Sequence, residues 1–289
     1  MFRRLLMLTV ALFAVSSVYA ADDAAAPVKY SMNYRDTVRT YTMYLPDGIK
    51  AGAPLVVYTH GYGSKTRWRR DMNVVADSCG FAVCYPDGMP DSRGKDGWKV
   101  GYPPQESMVI DEADFFRHLL DEVTSKFHLS RDNVFMAGMS NGGDLCYQLA
   151  YTDPSLFRAY GSVAGLTFEC LYNNYKLSLP VPFLEIHGNA DKTSMWQGDH
   201  LNTGGWGAYI PVPLAVAAVA ANNRCTTMSV DTFPTMRDPE RMVTRTVYGD
   251  SPSGCDVVVY EIEGGKHSWA DKDVATSRIL WDFFARYLK

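Results

Sequence analysis

Gly138-Met139-Ser140-Asn141-Gly142 stands between an apolar run, Asn133–Ala137, and a helical one, Gly143–Tyr151. A strand that turns abruptly into a helix around Gly-x-Ser-x-Gly leaves its serine projecting beyond the sheet, at the positive end of the helix. The turn strains the serine backbone and is tolerated only where the neighbours are small. Gly138 and Gly142 meet that demand, so Ser140 is the candidate nucleophile. The five-residue pattern also arises by chance in surface turns, so its meaning depends on the partners a reactive serine needs.

A serine hydroxyl attacks an acyl carbon when a histidine takes its proton and a carboxylate orients that histidine. Val181–Ile186 reads as a strand that runs into His187-Gly188-Asn189-Ala190-Asp191. Asp256–Ile262 reads as another, running into Glu263-Gly264-Gly265-Lys266-His267-Ser268-Trp269. Asp191 and His267 therefore fall on loops at strand ends, in the chain order Ser, Asp, His, as orienting acid and general base. Asp199 is the rival acid, farther past its strand. His60 and His187 each precede a glycine at a strand end and read as backbone ties. His118 and His128 belong to a helix flank and its C-terminal end, and His200 to a Gly- and Asn-rich loop without metal-ligand spacing. The oxyanion of acyl transfer needs backbone N–H donors. Asn141, after the nucleophile, supplies one; Tyr62 in His60-Gly61-Tyr62-Gly63, after the strand Pro54–Thr59, supplies the other.

Leu55–Gly61, Tyr85-Pro86-Asp87-Gly88, Asp111–Phe115, Ala137–Gly143, His187-Gly188 with Asp191, and Gly264–Trp269 make the chain resemble the secreted esterases of carbohydrate esterase family 1. That group holds poly(3-hydroxybutyrate) depolymerase-like enzymes and feruloyl and acetyl xylan esterases. The resemblance spans about residues 38–288, and its more specific marks are Met139 and Asn141 beside the serine and Trp269 after the histidine. It implies an α/β-hydrolase fold, a Ser140–His267–Asp191 triad working through an acyl-enzyme, no cofactor and no metal. It also implies a disulfide between Cys225 and Cys255. The chain departs from the family at Tyr62, where depolymerase-type relatives often carry Cys. The Gly97–Tyr102 stretch keeps Trp98 but lacks a cysteine pair that many relatives have.

Strands near 39–45, 54–59, 81–85, 133–137, 160–164, 181–186 and 256–262 alternate with helices from the third onward. This order predicts an α/β fold with a mostly parallel central sheet, helices on both faces and antiparallel first strands. Val109, Ala113, Phe116, Leu120, Val123 and Phe127 recur at helical spacing, as do Ile279, Leu280, Phe283, Phe284, Tyr287 and Leu288. The span 192–212 reads as an irregular loop, so no lid domain is expected.

Arg3 and Arg4, the apolar run Leu5–Val15 and Val18-Tyr19-Ala20 read as a cleavable export signal over residues 1–20. Residues 21–28 read as a flexible leader and 29–289 as one catalytic domain. The apolar run is too short to span a bilayer, so no membrane anchor is expected. The protein is then secreted or periplasmic. Loss of the two arginines takes the net charge from −4 to −6, which speaks against nucleic acid as a partner. Six cysteines in an exported chain permit disulfides; Cys79, Cys84, Cys146 and Cys170 read equally as bridges or buried thiols.

Aromatic residues make up 13% of the chain, and Tyr62, Trp98, Tyr102, Trp196, Trp206 and Trp269 fall on strand-end loops. Trp98, Trp196 and Trp269 are the candidate substrate contacts, the last two because they flank the triad loops. An aromatic rim without a lid suits a phenolic acyl group carried on a polymer. The expected activity is hydrolysis of feruloyl or related hydroxycinnamoyl esters on plant cell-wall polysaccharide. Acetyl xylan esterase and short-chain polyhydroxyalkanoate depolymerase are the enzymatic alternatives, and an inactive hydrolase scaffold used for binding is the non-enzymatic one.

Overall fold

The computed structural model describes residues 26–64 and 68–289, and the export signal lies outside the described residues. The strands are β1 (Val28–Tyr34), β2 (Thr37–Tyr44), β3 (Leu55–Thr59), β4 (Ala82–Pro86), β5 (Met89–Pro90), β6 (Asp96–Gly97), β7 (Val134–Met139), β8 (Tyr160–Val163), β9 (Phe183–Gly188), β10 (Thr227–Pro234), β11 (Met242–Gly249) and β12 (Val257–Ile262). The helices are α1 (Arg70–Cys79), α2 (Glu112–Lys126), α3 (Asn141–Thr152), α4 (Glu169–Asn174), α5 (Val212–Asn222) and α6 (Thr276–Ala285). Ten strands form one sheet in the order β1-β2-β4-β3-β7-β8-β9-β12-β11-β10. Its centre, from β4 through β12, is parallel, and the strands on both flanks pair antiparallel. The mostly parallel sheet and its antiparallel start stand as the sequence implied.

Alternation along the central strands explains the two layers of helices. Leu55 and Val57 of β3, Val134 and Met136 of β7 and Val257 and Val259 of β12 face a core shared with α2, α3 and α5. Val56, Phe135, Leu184, Ile186 and Val258 face the other side, where Met72 and Ala76 of α1 and Leu280 and Phe284 of α6 cover them. Parallel strands buried on both faces read as continuous apolar runs, and here they do.

Four sequence expectations are corrected. Val28, read as part of a flexible leader, is the first residue of β1 and pairs with Met43. Val109, read as the start of the α2 stripe, is 96% exposed, because α2 begins only after Asp111, whose carboxylate accepts the Asp114 amide. The β10–β11 ribbon, which the sequence reading left out, extends the sheet beyond β12; β10 is exposed along nearly its whole length and so carries no core period. Cys225 and Cys255 are free thiols: the Cys225 Sγ turns to the Cys255 carbonyl oxygen at 3.7 Å rather than to its sulfur. Cys84 and Cys146 are buried thiols.

Candidate active site

Ser140 lies between the last residue of β7 and the first of α3, with φ 55° and ψ −122°. A side chain at Gly138 would stand 2.1 Å from the Gly142 carbonyl oxygen, and one at Gly142 would stand 2.2 Å from that of Thr59. Both glycines are thus required by close packing of the turn on β3. The Ser140 amide donates to Val163 at the end of β8, at 2.8 Å, which fixes the strained turn from the neighbouring strand.

The His267 Nε2 lies 2.9 Å from the Ser140 Oγ, and its Nδ1 lies 2.7 Å from the Asp191 Oδ2. The other oxygen of Asp191 accepts the amides of Thr193 at 2.7 Å and Ser194 at 2.9 Å, so the buried carboxylate is held at both oxygens. The acid and base loops interlock. Gly188 and Gly265 touch so closely that a Cβ on Gly188 would fall 2.3 Å from the Gly265 backbone. The Ala190 amide donates to the Gly265 carbonyl at 3.0 Å, and the Gly264 amide to the Asn189 side chain at 2.8 Å. Asp199 stands apart: it accepts Thr203 and Gly204 amides, which hold its carboxyl below the usual range and close a turn of its own loop.

Asn141 opens α3, so its amide is among the first-turn donors that have no carbonyl within the helix. Its side chain is clamped by Trp98, accepting that residue's amide at 2.7 Å and donating to its carbonyl at 3.0 Å. Gly61 packs on Ser140, since a Cβ there would lie 3.3 Å from the serine's own Cβ, and this brings the Tyr62 backbone beside the candidate nucleophile. The Tyr62 hydroxyl donates to Asp91; burial and then this bond push the phenol up to about 12.

A pocket of about 190 Å³ opens on the Ser140 Oγ between Tyr62, Tyr102, Leu166, Trp206 and His267. Three larger clefts lie elsewhere, and the serine lines none of those three. Three of the walls are aromatic and contact one another, Trp206 at 5.0 Å from Tyr102 and 5.7 Å from Tyr62, and Tyr62 at 5.5 Å from Tyr102. Beneath them is Asp144, which accepts the Tyr102 hydroxyl at 2.6 Å and the Leu166 amide at 2.7 Å. Burial raises its carboxyl to about 8 even against those two donors.

None of the three tryptophans expected to touch substrate lines this pocket. Trp98 is fully buried, its indole N–H donating to the His60 carbonyl at 2.9 Å. Trp196 is buried against the His187 ring. Trp269 turns inward, donating to Asp71 of α1 at 2.8 Å and packing on Tyr58 and under the Arg69 guanidinium. Each braces a loop that bears a functional group. The pocket aromatics are Tyr62, Tyr102 and Trp206 instead. Their one signal in the sequence is that all three stand among the aromatics on strand-end loops.

The other histidines take structural places. The His60 ring joins Gly61 to the Gly88 amide, while His118 and His128 lie on the surface. His200 pairs with Glu169. Among the described residues no cluster of His, Cys, Asp and Glu could hold a metal ion.

Comparison with known proteins places this geometry in a family context. The family model described as "Esterase PHB depolymerase" matches residues 39–175. The protein NocK of Nocardia uniformis subsp. tsuyamanensis is 27% identical over 248 residues, 80% of this chain and 70% of that one. Feruloyl esterase D of Neurospora crassa is 24% identical over 271 residues, 88% of this chain and 84% of that one. The solved acetyl xylan esterase from Aspergillus awamori shares the fold with a TM-score of 0.57 at 17% identity, over 86% of this chain and 94% of that one. The chain thus has the α/β-hydrolase fold, and the feruloyl esterase it matches along most of its length is an ester hydrolase.

Proposed function

We propose that the protein is an exported serine esterase that removes hydroxycinnamoyl groups, feruloyl foremost, from plant cell-wall polysaccharide. The observation that carries the acyl preference is the pocket at Ser140 walled by Tyr62, Tyr102 and Trp206. Its volume of about 190 Å³ compares with ~30 Å³ for a water molecule, so it has room for far more than the methyl of an acetyl group. Flat aromatic walls reward a planar ring. Feruloyl esterase D, a relative along most of the chain, supports the same class.

In the proposed cycle the Ser140 Oγ attacks the ester carbonyl as the His267 Nε2 takes its proton, and Asp191 holds the imidazolium through Nδ1. The developing oxyanion accepts the amides of Tyr62 and Asn141. His267 returns the proton to the departing sugar hydroxyl, leaving an acyl-serine, and water repeats the sequence to release the free acid. Asp191 orients the imidazole and stabilises its positive charge without taking the proton itself.

The test is the purified protein on methyl ferulate, feruloylated xylan, acetylated xylan and polyhydroxybutyrate side by side, with Ser140→Ala as the control. Feruloyl esters should turn over fastest, and Ser140→Ala should fold and keep only the residual acceleration, on the order of 10³–10⁴ over water, that remains without a triad. Faster turnover of acetylated than of feruloylated xylan would replace the feruloyl reading with the acetyl one. Near-native turnover by Ser140→Ala would remove the serine mechanism itself.

A further inference from the structure

Behind Asp191 stands a second histidine that the proposed cycle does not use. His187, on β9, is wholly enclosed, with its Nδ1 2.9 Å from the Glu185 Oε1 and its Nε2 2.8 Å from the Ser194 carbonyl oxygen. The same Nε2 is 3.7 Å from the Asp191 Oδ2, the oxygen that holds His267. A carbonyl oxygen has no proton to give, so Nε2 carries one. On the other side of the ring Glu185 is fully buried, and its Oε1 meets the Gly165 amide at only 3.4 Å. Its Oε2 has no hydrogen-bond partner among the described residues. The ring is therefore flanked by two carboxylates and a carbonyl, three acceptors and no donor besides its own.

The titratable neighbours leave this arrangement as the charged centre of the region. From α3, burial keeps the Cys146 thiol and the Tyr147 hydroxyl far up in their neutral forms, and Asp144 is raised to about 8. From the loop after β9 come Asp191 and, through it, His267 of the loop after β12. Burial opposes charge on His187, but the Glu185 bond and charge, the Ser194 carbonyl and Asp191 more than offset it and hold the ring above its ordinary value.

We infer that Glu185 and His187 form a buried carboxylate–imidazolium pair that acts as a positioning unit for the triad acid, fixing the Asp191 loop through Ser194 and placing a positive ring beside the Asp191 carboxylate. This inference rests on the reading of Ser140, His267 and Asp191 as the catalytic chain. A positive ring 3.7 Å from the Asp191 Oδ2 opposes the gain of a second positive charge in the same cluster. Loss of that charge is therefore read in the acidic limb of the rate profile, where protonation of the general base ends turnover. The pair thus extends activity into acidic surroundings.

Glu185→Gln tests this with little change of shape. The amide donates to Nδ1, the Nε2 proton stays on Ser194, and the ring becomes neutral. The acidic limb of kcat/KM on a chromogenic ester should move up by about 0.5–1 pH unit, since a nearby like charge that disfavoured protonation of His267 is gone. His187→Gln should move it the same way. A merely structural role would lower the rate at every pH and leave the limb in place, and that result overturns the inference. Nitrogen NMR of labelled histidine in the native protein needs no variant to fold: both ring nitrogens of His187 should be protonated at pH 7, and a single proton there overturns the inference too. Activity surviving in Ser140→Ala would sink the catalytic reading instead, so the two failures are told apart.

Discussion

Replacing Trp206 by Ala should change which acyl group the enzyme prefers while leaving its chemistry intact. The indole is half-buried and forms one face of the pocket at Ser140, held by Tyr102 at 5.0 Å and Tyr62 at 5.7 Å. A bound phenolic ring loses an aromatic contact of roughly 0.5–1.5 kcal/mol beyond area burial. It also loses cover over some tens of Å² of its face, about 1 kcal/mol at ~25 cal/mol per Å². The sum, about 1–3 kcal/mol, corresponds to roughly a 5- to 150-fold fall in kcat/KM. An acetyl methyl has little surface to lose there, so its change should stay within about threefold. The assay is kcat/KM for 4-nitrophenyl ferulate and 4-nitrophenyl acetate, which share a leaving group. Equal losses on both would mean that Trp206 only supports its loop, and the aromatic pocket would no longer explain the preference. Trp196→Ala supplies the contrast. Its ring is buried, so truncation should cost about 3–5 kcal/mol of stability and affect both esters alike.

Asp191→Asn should lower kcat by about 10⁴, because the amide can hold His267 in the wrong tautomer, whereas Asp199→Asn should leave kcat nearly unchanged; the reverse order would move the acid to Asp199. Gly142→Ala should abolish soluble, active protein, since its Cβ would meet the Thr59 carbonyl at 2.2 Å, and a native melting temperature would refute the packing argument. Burial raises Glu112 to about 7 and Asp144 to about 8, both above a carboxyl's unfolded value near ~4. The folded state therefore binds protons more tightly, and stability present below pH ~4 is lost as pH rises through 7 and 8. Melting temperatures measured from pH 5 to 9 should fall, less steeply in Glu112→Gln; an equal slope in that variant would refute the assignment.

The strand-end loops were legible because each follows a short apolar strand, and burial on both faces leaves such strands no polar alternation to blur them. Asp191 could be preferred to Asp199 on that ground, and His267 to the strand-end His60 and His187 because it alone of the three follows the candidate acid in the order Ser, Asp, His. The substrate contacts were not legible in the same way. Trp269 is two residues from His267, but the loop reverses between them and sends the indole down to Asp71. Chain proximity to a triad residue says nothing about direction once the backbone leaves the strand. Trp206, far from every triad residue in sequence, arrives at the pocket only through the course of its loop. β1 was hidden because only Met32 and Tyr34 of it are buried, at the end nearest the turn. The Glu185–His187 pair was hidden because a charged residue inside an apolar run is visible in sequence, but its partner two residues along the same strand is not distinguishable from a backbone tie.

The loop between β9 and α5 carries Asp191 at its start and Trp206 near its end, yet the two are mechanically separate. Asp199 and Tyr209 exchange backbone hydrogen bonds at 3.0 and 3.4 Å and cinch the intervening residues into a lobe. Within it the Asn202 side chain accepts the Gly207 amide at 2.8 Å, and Asp199 caps Thr203 and Gly204. A lobe closed at its neck can be exchanged, shortened or diversified without pulling on the strand that aims the acid. Residues 200–208 are therefore an interchangeable cartridge: grafted sequences there should retune what the enzyme accepts while the hydrolytic engine beneath is inherited unaltered. Chains of this design could shift between acyl groups through changes within these nine residues so long as the seat of residue 206 on Tyr102 and the hydrogen bond from Glu169 to the residue 208 carbonyl are kept.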